Sequence, residues 1–444
     1  MPIIVVRTNL CQDMTKVVET ASGCRYHRLM NQSEIRKTVN ACWWAYIVQA
    51  IVNNFSPLLF MQFMKEWNLT LAEITLITTL NFSIQLFADA VSAPMIRKFR
   101  TRKTIVLGHV MAGAGLLAMT ILPSLLTPLA GLLISVCMYA IGGGVIEVLI
   151  SPIIEACPSD NKKTAMALLH SFYCFGFAGV VAVSALFFHF FTTSHWRLLA
   201  VFFSIIPFLN GFRFSRIWLP EAFQEEAPAS RTLFHSGTFW LLFFLMLGSG
   251  ASEQAVAQWA STFMESIGLS KAVGDLAGPL LFTLCMGASR AIYGRFGQKL
   301  SLNRAMIFSV MLCLGSYLVL SSAAGVMTAI GCALCGFSVG IFWPGTLSIA
   351  ASLIPSGSAS LYALLALAGD LGCTAGPTLA GLAAAGAGNS IQHGISIAIL
   401  FPVLILICLL VLLFRIKGSQ SSGPLQIREV SQTQNDLNGR RTRR

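Results

Sequence analysis

An all-α polytopic membrane protein, with 12 transmembrane helices in two six-helix halves, is the fold this chain predicts. Composition, the placement of positive charge and an internal repeat carry the prediction. Hydrophobic residues make up 55% of the 444 and charged residues 11%, where soluble domains carry roughly 25% charged. Apolar stretches repeatedly reach the ~20 residues that cross a bilayer core as a helix. Lipid offers the backbone no hydrogen-bond partners, so these stretches must satisfy their own N–H and C=O groups.

The net charge of +12 follows from topology once the charges are placed. Of the 30 Lys and Arg, 26 fall in tails and loops assigned to one side of the membrane. Lys65, Arg197 and Lys271 fall on the other side, and Arg290 lies inside a helix. This is the positive-inside pattern. It predicts a multi-pass protein of the cell (plasma) membrane, seated in the lipid bilayer, with both termini cytoplasmic and no nucleic-acid partner. The repeat appears at an offset of 197 residues. Gly143, Ser151, Pro158, Leu168 and Gly179 fall on Gly340, Ser348, Pro355, Leu365 and Gly376, and Lys98 and Arg102 fall on Arg295 and Lys299. One register without a gap points to two related halves of the same orientation.

Taken in order, residues 1–38 form a polar cytoplasmic tail. Met1–Val6 is too short for a signal-peptide core and Arg7 interrupts it. The stretch before Met30 reads as a flexible tail or as sequence upstream of the true start. The first bundle, residues 39–214, holds spans at 39–63, 71–96, 104–124, 127–156, 165–191 and 196–214. A linker at 215–237, with Pro220, Glu221, Glu225, Glu226, Pro228 and Arg231, separates it from the second. Residues 238–415 hold spans at 238–265, 272–294, 304–323, 325–354, 358–386 and 392–415. Residues 416–444 are Ser-, Gln- and Asn-rich, end in arginines, and read as a disordered cytoplasmic tail. The 12 cysteines are scattered singly; Cys332 and Cys335 sit in an apolar run and read as small packing residues. No cofactor and no metal site is expected.

Four carboxylates and one arginine inside these spans carry the functional signal. Asp89, Glu147, Glu253, Asp370 and Arg290 each cost ~2.5–3.5 kcal/mol to insert, and chains keep such residues mainly along hydrated paths or in pairs. Glu147 follows Gly142, Gly143 and Gly144, which let a neighbouring helix approach, and Ser151 lies one turn on. Span 1 supplies Asn53, Asn54, Ser56 and Gln62. Span 7 supplies Glu253, Gln254, Gln258 and Trp259, and span 10 supplies Ser338, Phe342 and Trp343 before Pro344 and Gly345. Amides and carboxylates bond hydroxyls while a tryptophan covers an apolar ring face, although the same residues also pack helices together. Asp370 sits among Gly369, Gly372, Gly376 and Pro377, where small residues favour close packing, and is a possible partner for Arg290. His170 suits an interfacial hydrogen bond better than a proton relay.

The cytoplasmic link Ala93-Pro94-Met95-Ile96-Arg97-Lys98-Phe99-Arg100-Thr101-Arg102-Lys103 resembles the basic signature loop of the major facilitator superfamily. Ala93 replaces its usual glycine and Ile96 its aspartate. The likeness covers residues 39–415. Gly142-Gly143-Gly144-Val145-Ile146-Glu147, Leu168-Leu169-His170-Ser171-Phe172 and Asn53-Asn54 make it most similar to the fucose permease-related group. The resemblance implies a monomeric carrier with a cavity lined mainly by spans 1, 4, 7 and 10. It also implies an acid shortly after the Asn-Asn pair, where this chain has Pro57.

The expected function is secondary active transport of a small polar solute, a sugar by resemblance, through alternating access with proton symport. Glu147, Glu253, Asp370 and Arg290 are the proton-coupling candidates. Asn53, Asn54, Ser151, Gln254, Gln258, Trp259 and Trp343 are the solute-binding candidates, while Asp89, Arg97, Arg102 and Lys103 belong to a cytoplasmic gate. The alternatives are efflux of drugs or metabolites and a membrane sensor without turnover. Gly176–Val180 in span 5 lacks the Gly-Pro signature of drug antiporters, which counts against efflux. An enzyme is not expected, because the seven histidines show no ligand spacing and no P-loop is present.

Overall fold

The structure, a computed structural model, describes residues 32–98, 101–158, 162–220, 231–296, 301–322, 325–354 and 359–421. Most of both tails and the middle of the linker lie outside them, as do Lys299 and Pro355 of the repeat, and the side chains of Arg97 and Lys98. Among the described residues 12 helices are long and apolar enough to cross a membrane, and there are no strands. They are α1 (Gln32–Trp67), α2 (Leu71–Val91), α3 (Thr101–Leu125), α4 (Pro128–Ala156), α5 (Leu168–Phe190) and α6 (Thr193–Arg216), then α7 (Gly237–Ser266), α8 (Lys271–Phe296), α9 (Leu302–Ser322), α10 (Val326–Leu353), α11 (Leu361–Gly386) and α12 (Ile391–Arg415). The span count and limits agree closely with the expectation. The first helix begins earlier, at Gln32, and the last continues to Ser421.

Two compact units result. One comprises residues 1–68 and 83–225, the other residues 69–82 and 226–444, so the first turns of α2 group with the second unit. Inside each unit the same pairs of helices pack. α1 contacts α4, α5 and α6, as α7 contacts α10, α11 and α12; α3 contacts α4 and α6, as α9 contacts α10 and α12. Leu125 and Ser322, the ends of α3 and α9, stand 197 residues apart, and so do Ala156 and Leu353, the ends of α4 and α10.

Among the described helices five are interrupted, α8 by a π turn at Leu276–Leu280 that contains Pro279, α12 at Ile399, and α1, α10 and α7 each for a local reason. In α1 an α-helix over Gln32–Asn54 gives way to a 3₁₀ turn at Ser56–Leu59 before helix resumes at Phe60. Pro57 has no N–H to donate and its fixed φ suits the start of that turn. In α10 the break falls at Gly340–Ile341, between helices Val326–Val339 and Phe342–Leu353. Pro344 explains the place: a proline ring clashes with the carbonyl four residues earlier, here Gly340, so the break lies upstream of the Pro344-Gly345 pair. α7 breaks without proline at Gln258-Trp259, where the Trp259 N–H reaches the Val256 carbonyl and the turn tightens.

Glycines set the closest approaches. A Cβ on Gly142 would stand 2.5 Å from the Gly108 carbonyl of α3, on Gly143 2.9 Å from Gln49 of α1, and on Gly144 2.6 Å from Ala88 of α2. Successive helical residues point about 100° apart. Three glycines in a row thus clear three sides of α4 for three neighbours. Gly372 and Gly376 do the same for α11, whose added Cβ atoms would lie on the Leu247 and Ala251 carbonyls of α7. Cys332 and Cys335 are fully buried in this packing.

Candidate functional site

In the first unit the polar residues of α1, α2 and α4 meet in one cluster. Gln49 Nε2 donates to Gln85 Oε1 at 2.8 Å and to Glu147 Oε2 at 2.6 Å, and Gln85 Nε2 donates to Asn53 Oδ1 at 2.8 Å. Gln49 and Asn53 share a face of α1 four residues apart. Gly143 clears the space for the Gln49 amide, and Glu147 follows Gly143 by one turn on the same face of α4. A single amide nitrogen therefore spends both its hydrogens joining α1 to α2 and α4. Gln49 Oε1 is buried with no hydrogen-bond partner. Asp89, one turn beyond Gln85, is the charged group whose field reaches both Glu147 and Tyr46. Tyr46 bonds Ser151 at 3.0 Å and meets the exposed His170 ring edge-on. Asn54 donates to the Ala50 carbonyl at 2.9 Å and to the Tyr173 hydroxyl at 3.3 Å. Ser56, beside Pro57, bonds the Tyr139 hydroxyl at 2.8 Å.

The second unit carries a chain instead of a cluster. Thr78 donates to Gln258 at 3.1 Å, Gln258 to Gln254 at 3.2 Å, and Gln254 to Glu253 Oε1 at 3.2 Å. Glu253 Oε2 faces Arg290 Nη2 of α8 at 3.5 Å. The chain ends at the break in α7, with Gln258 as the cap of the helix Gly237–Ala257.

Several residues sit differently from what their sequence position suggests. Asp89, a gating candidate near the basic loop, also lies in Coulombic reach of Glu147. Arg290 is ion-paired with Glu253 at 3.5 Å. Asp370 is half-buried and its carbonyl accepts from Thr374 at 3.1 Å. Trp259 is fully buried: its indole N–H donates to the Pro377 carbonyl at 2.9 Å and its ring packs on Gly381. Packing therefore occupies that ring. Trp343 is half-buried and lies over Gly369. Arg102 donates to the Phe214 and Ser215 carbonyls at 3.1 and 2.9 Å, capping the end of α6, whereas Lys103 is exposed.

Sequence reasoning missed Gln49, Gln85 and Asp275. The signal for the amides was a polar residue one turn before another on an apolar helix: Gln49 before Asn53, Gln85 before Asp89. Asp275 is a further acid within the spans, fully buried, bound to Lys271 at 2.5 Å and Ser261 at 2.6 Å. Glu265 joins Lys271 at 3.3 Å. Lys271 had looked like a loop residue, which hid the pair.

Residues 42–377 match the family described as Major Facilitator Superfamily. The chain belongs to this superfamily, whose members are transporters rather than enzymes. No curated relative matches. Among solved structures, the chain is similar to a bacterial homolog of the human lysosomal transporter Spinster, in an inward-facing and occupied conformation. That match has a TM-score of 0.65 at 13% identity, covering 84% of this chain and 94% of the other. The nucleoside transporter NupG matches at 0.66 and 12%, covering 85% and 97%. The E. coli fucose:proton symporter FucP, whose group the sequence resembled, matches at 0.57 and 15%, covering 84% and 97%. The superfamily fold and its 12 helices make this a multi-pass membrane transporter of a small molecule.

Proposed function

We propose that this transporter carries a small hydroxylated solute, sugar-like in its hydrogen-bonding groups, by alternating access coupled to protons, and that Glu147 is a proton carrier. The observation behind this is the company Glu147 keeps. Its bonded partner is a neutral amide and the charge whose field reaches it is another carboxylate, Asp89. A carboxylate held by Gln49 can take up or release a proton without breaking an ion pair. The buried, unfilled acceptor Gln49 Oε1 supports a site for solute hydroxyls beside it, since native folds rarely leave such atoms unused. Asn53, Asn54 and Ser151 belong to the same reading on the first unit, and Gln254, Gln258 and Trp343 on the second. FucP, by its description a proton symporter, supports the coupling. The positive-inside charge pattern supports a plasma-membrane protein with cytoplasmic termini, acting as a monomer.

Uptake into proteoliposomes under an imposed pH gradient tests the proposal. The wild type should accumulate its solute only with the gradient. Glu147→Gln should lose accumulation yet retain solute counterflow, because exchange needs no net proton movement. Gradient-driven uptake by Glu147→Gln at the wild-type level would falsify the assignment.

A further inference from the structure

An acid that carries protons needs a route to water, and one face of α4 supplies the parts of one. Glu147, Val148, Ser151, Pro152 and Glu155 are half-buried or exposed, whereas Ile146, Leu149, Ile150, Ile153 and Ile154 are buried. That is the spacing of a single helical stripe. A stripe facing only lipid would be apolar, and this one carries two acids and a hydroxyl. It ends at exposed Glu155, next to the last residue of α4, Ala156, on the side that leads to Lys162. α1 meets this face in two rungs. Gln49 bonds Glu147 at 2.6 Å, and Tyr46, three residues back on α1, bonds Ser151, four residues on along α4, at 3.0 Å. The rungs are therefore one turn, about 5 Å, apart, and the field of Glu147 reaches Tyr46. Pro152 has no N–H to give the Val148 carbonyl. Carbonyls freed in this way inside membrane helices are satisfied by neighbouring side chains or by ordered water. An acceptor for one water thus lies on the stripe between the rungs. A tether between α1 and α4 accounts for the Tyr46–Ser151 bond, but not for the acid at the end of the stripe.

We infer that Tyr46, Ser151 and Glu155 conduct protons between Glu147 and the aqueous phase on the side of the basic loops. This rests on Glu147 as the proton carrier and gives that carrier its route. When Glu147 releases its proton, a water at the Val148 carbonyl takes it and hands one of its own to the Tyr46 oxygen. Tyr46 passes its hydroxyl hydrogen to Ser151, and Ser151 passes its own toward the Glu155 carboxylate, which gives it up to water. Each water and hydroxyl gains one proton and loses one. Only O–H bonds break and form, one proton crosses, and neither hydroxyl is left ionised. The Tyr46–Ser151 bond can run in either direction, so the same path serves release and uptake. The other titratable groups facing Tyr46 are Asp89 of α2, Cys42 of α1 and His170 of α5, whose exposed ring stands edge-on at 5.5 Å. Buried Cys157 and exposed Lys162 follow Glu155 in the chain.

The proton itself is the probe. A rapid pH jump on the full chain in nanodiscs is followed through the infrared C=O band of protonated Glu147, which E147Q identifies by its loss. Y46F keeps the ring and removes the hydroxyl. It should slow the appearance of the band about tenfold or more, and E155Q should do the same, because positioned proton-transfer groups contribute at least that much. E155D should keep most of the rate. Raising the concentration of the soluble buffer MES should restore the rate in E155Q, whose missing group lies at the surface, and not in Y46F, whose gap lies inside. The final height of the band should be the same in E155Q as in the wild type, since a path sets the rate and not the equilibrium. A wild-type rate in Y46F or in E155Q, or a slow E155Q that MES does not restore, overturns the path and leaves Glu147 as the carrier. A wild type with no band that E147Q removes overturns the carrier reading and the path with it. Size-exclusion profiles identify variants that failed to fold, and E155Q, at an exposed position, decides the question if Y46F is among them.

Discussion

The two halves of this molecule share helix packing and differ in how they hold their acids. In the first half Glu147 rests on the amide of Gln49, and the ion pair of Glu66 with Arg197 sits at the rim, with side chains 22% and 35% exposed. In the second half Glu253 faces Arg290, and fully buried Asp275 is held by Lys271. The first half therefore keeps an interior acid whose protonation breaks no ion pair. The second sets its buried acids beside cations, so changing their charge disturbs an ion pair. Duplication explains the common architecture; the partner on the adjacent helix decides what each carboxylate can do.

The sharpest way to break that contrast is Lys271→Met. It removes the cation from Asp275 and Glu265 while keeping an apolar stem of similar length. Stripping one partner from a buried pair costs about 3–5 kcal/mol. The thermal unfolding midpoint should drop steeply, or the variant should fail to yield a monodisperse species. The corresponding change at the rim, Arg197→Met, should cost about 1 kcal/mol or less in charge terms. It also loses the stacking of the guanidinium over Trp196, 4.8 Å from the ring centroid. Equal losses in the two melts would remove the distinction between the halves.

A smaller effect is expected at the shared glycine position. The 197-residue offset pairs Gly179 with Gly376, yet their surroundings differ. An added Cβ has nothing within 4 Å at Gly179 and falls on the Ala251 carbonyl at Gly376. Gly376→Ala should destabilise by about 1–3 kcal/mol through overpacking between α7 and α11. Gly179→Ala should be neutral or stabilise by up to about 1 kcal/mol, because alanine is the better helix former. Melting curves of the two variants read both signs in one experiment.

That pair also marks how far the sequence could be read. Span number, span limits and the repeat were legible because apolar length and basic loops are direct consequences of the bilayer. The three glycines before Glu147 announced close helices, and each indeed clears one neighbour. Partner choice was not legible. Nothing in the order of residues places Gln49 and Gln85 beside Glu147, since those contacts depend on the rotation of α1 and α2 about their axes. Asp275 escaped notice because its partner Lys271, one turn earlier, was assigned to the loop just outside the span at 272–294. The proline effect in α10 was visible, but its seat at Gly340 required counting back to the carbonyl that Pro344 obstructs.

Glu147→Gln should give the smallest change in stability and the clearest one in function. The replacement is nearly isosteric, and the new amide carbonyl still accepts from Gln49. It also removes the repulsion between Glu147 and Asp89. The net effect on unfolding should stay within about 1 kcal/mol of the wild type, with either sign. Glu253→Gln, by contrast, breaks the ion pair with Arg290 and should lower the melt by about 2 kcal/mol, partial exposure tempering the cost. A fall for Glu147→Gln as large as that for Glu253→Gln would mean that Glu147 also holds a helix in place through its charge. Proton coupling would then have lost its simplest carrier, an acid that can change charge while every helix around it stays bonded.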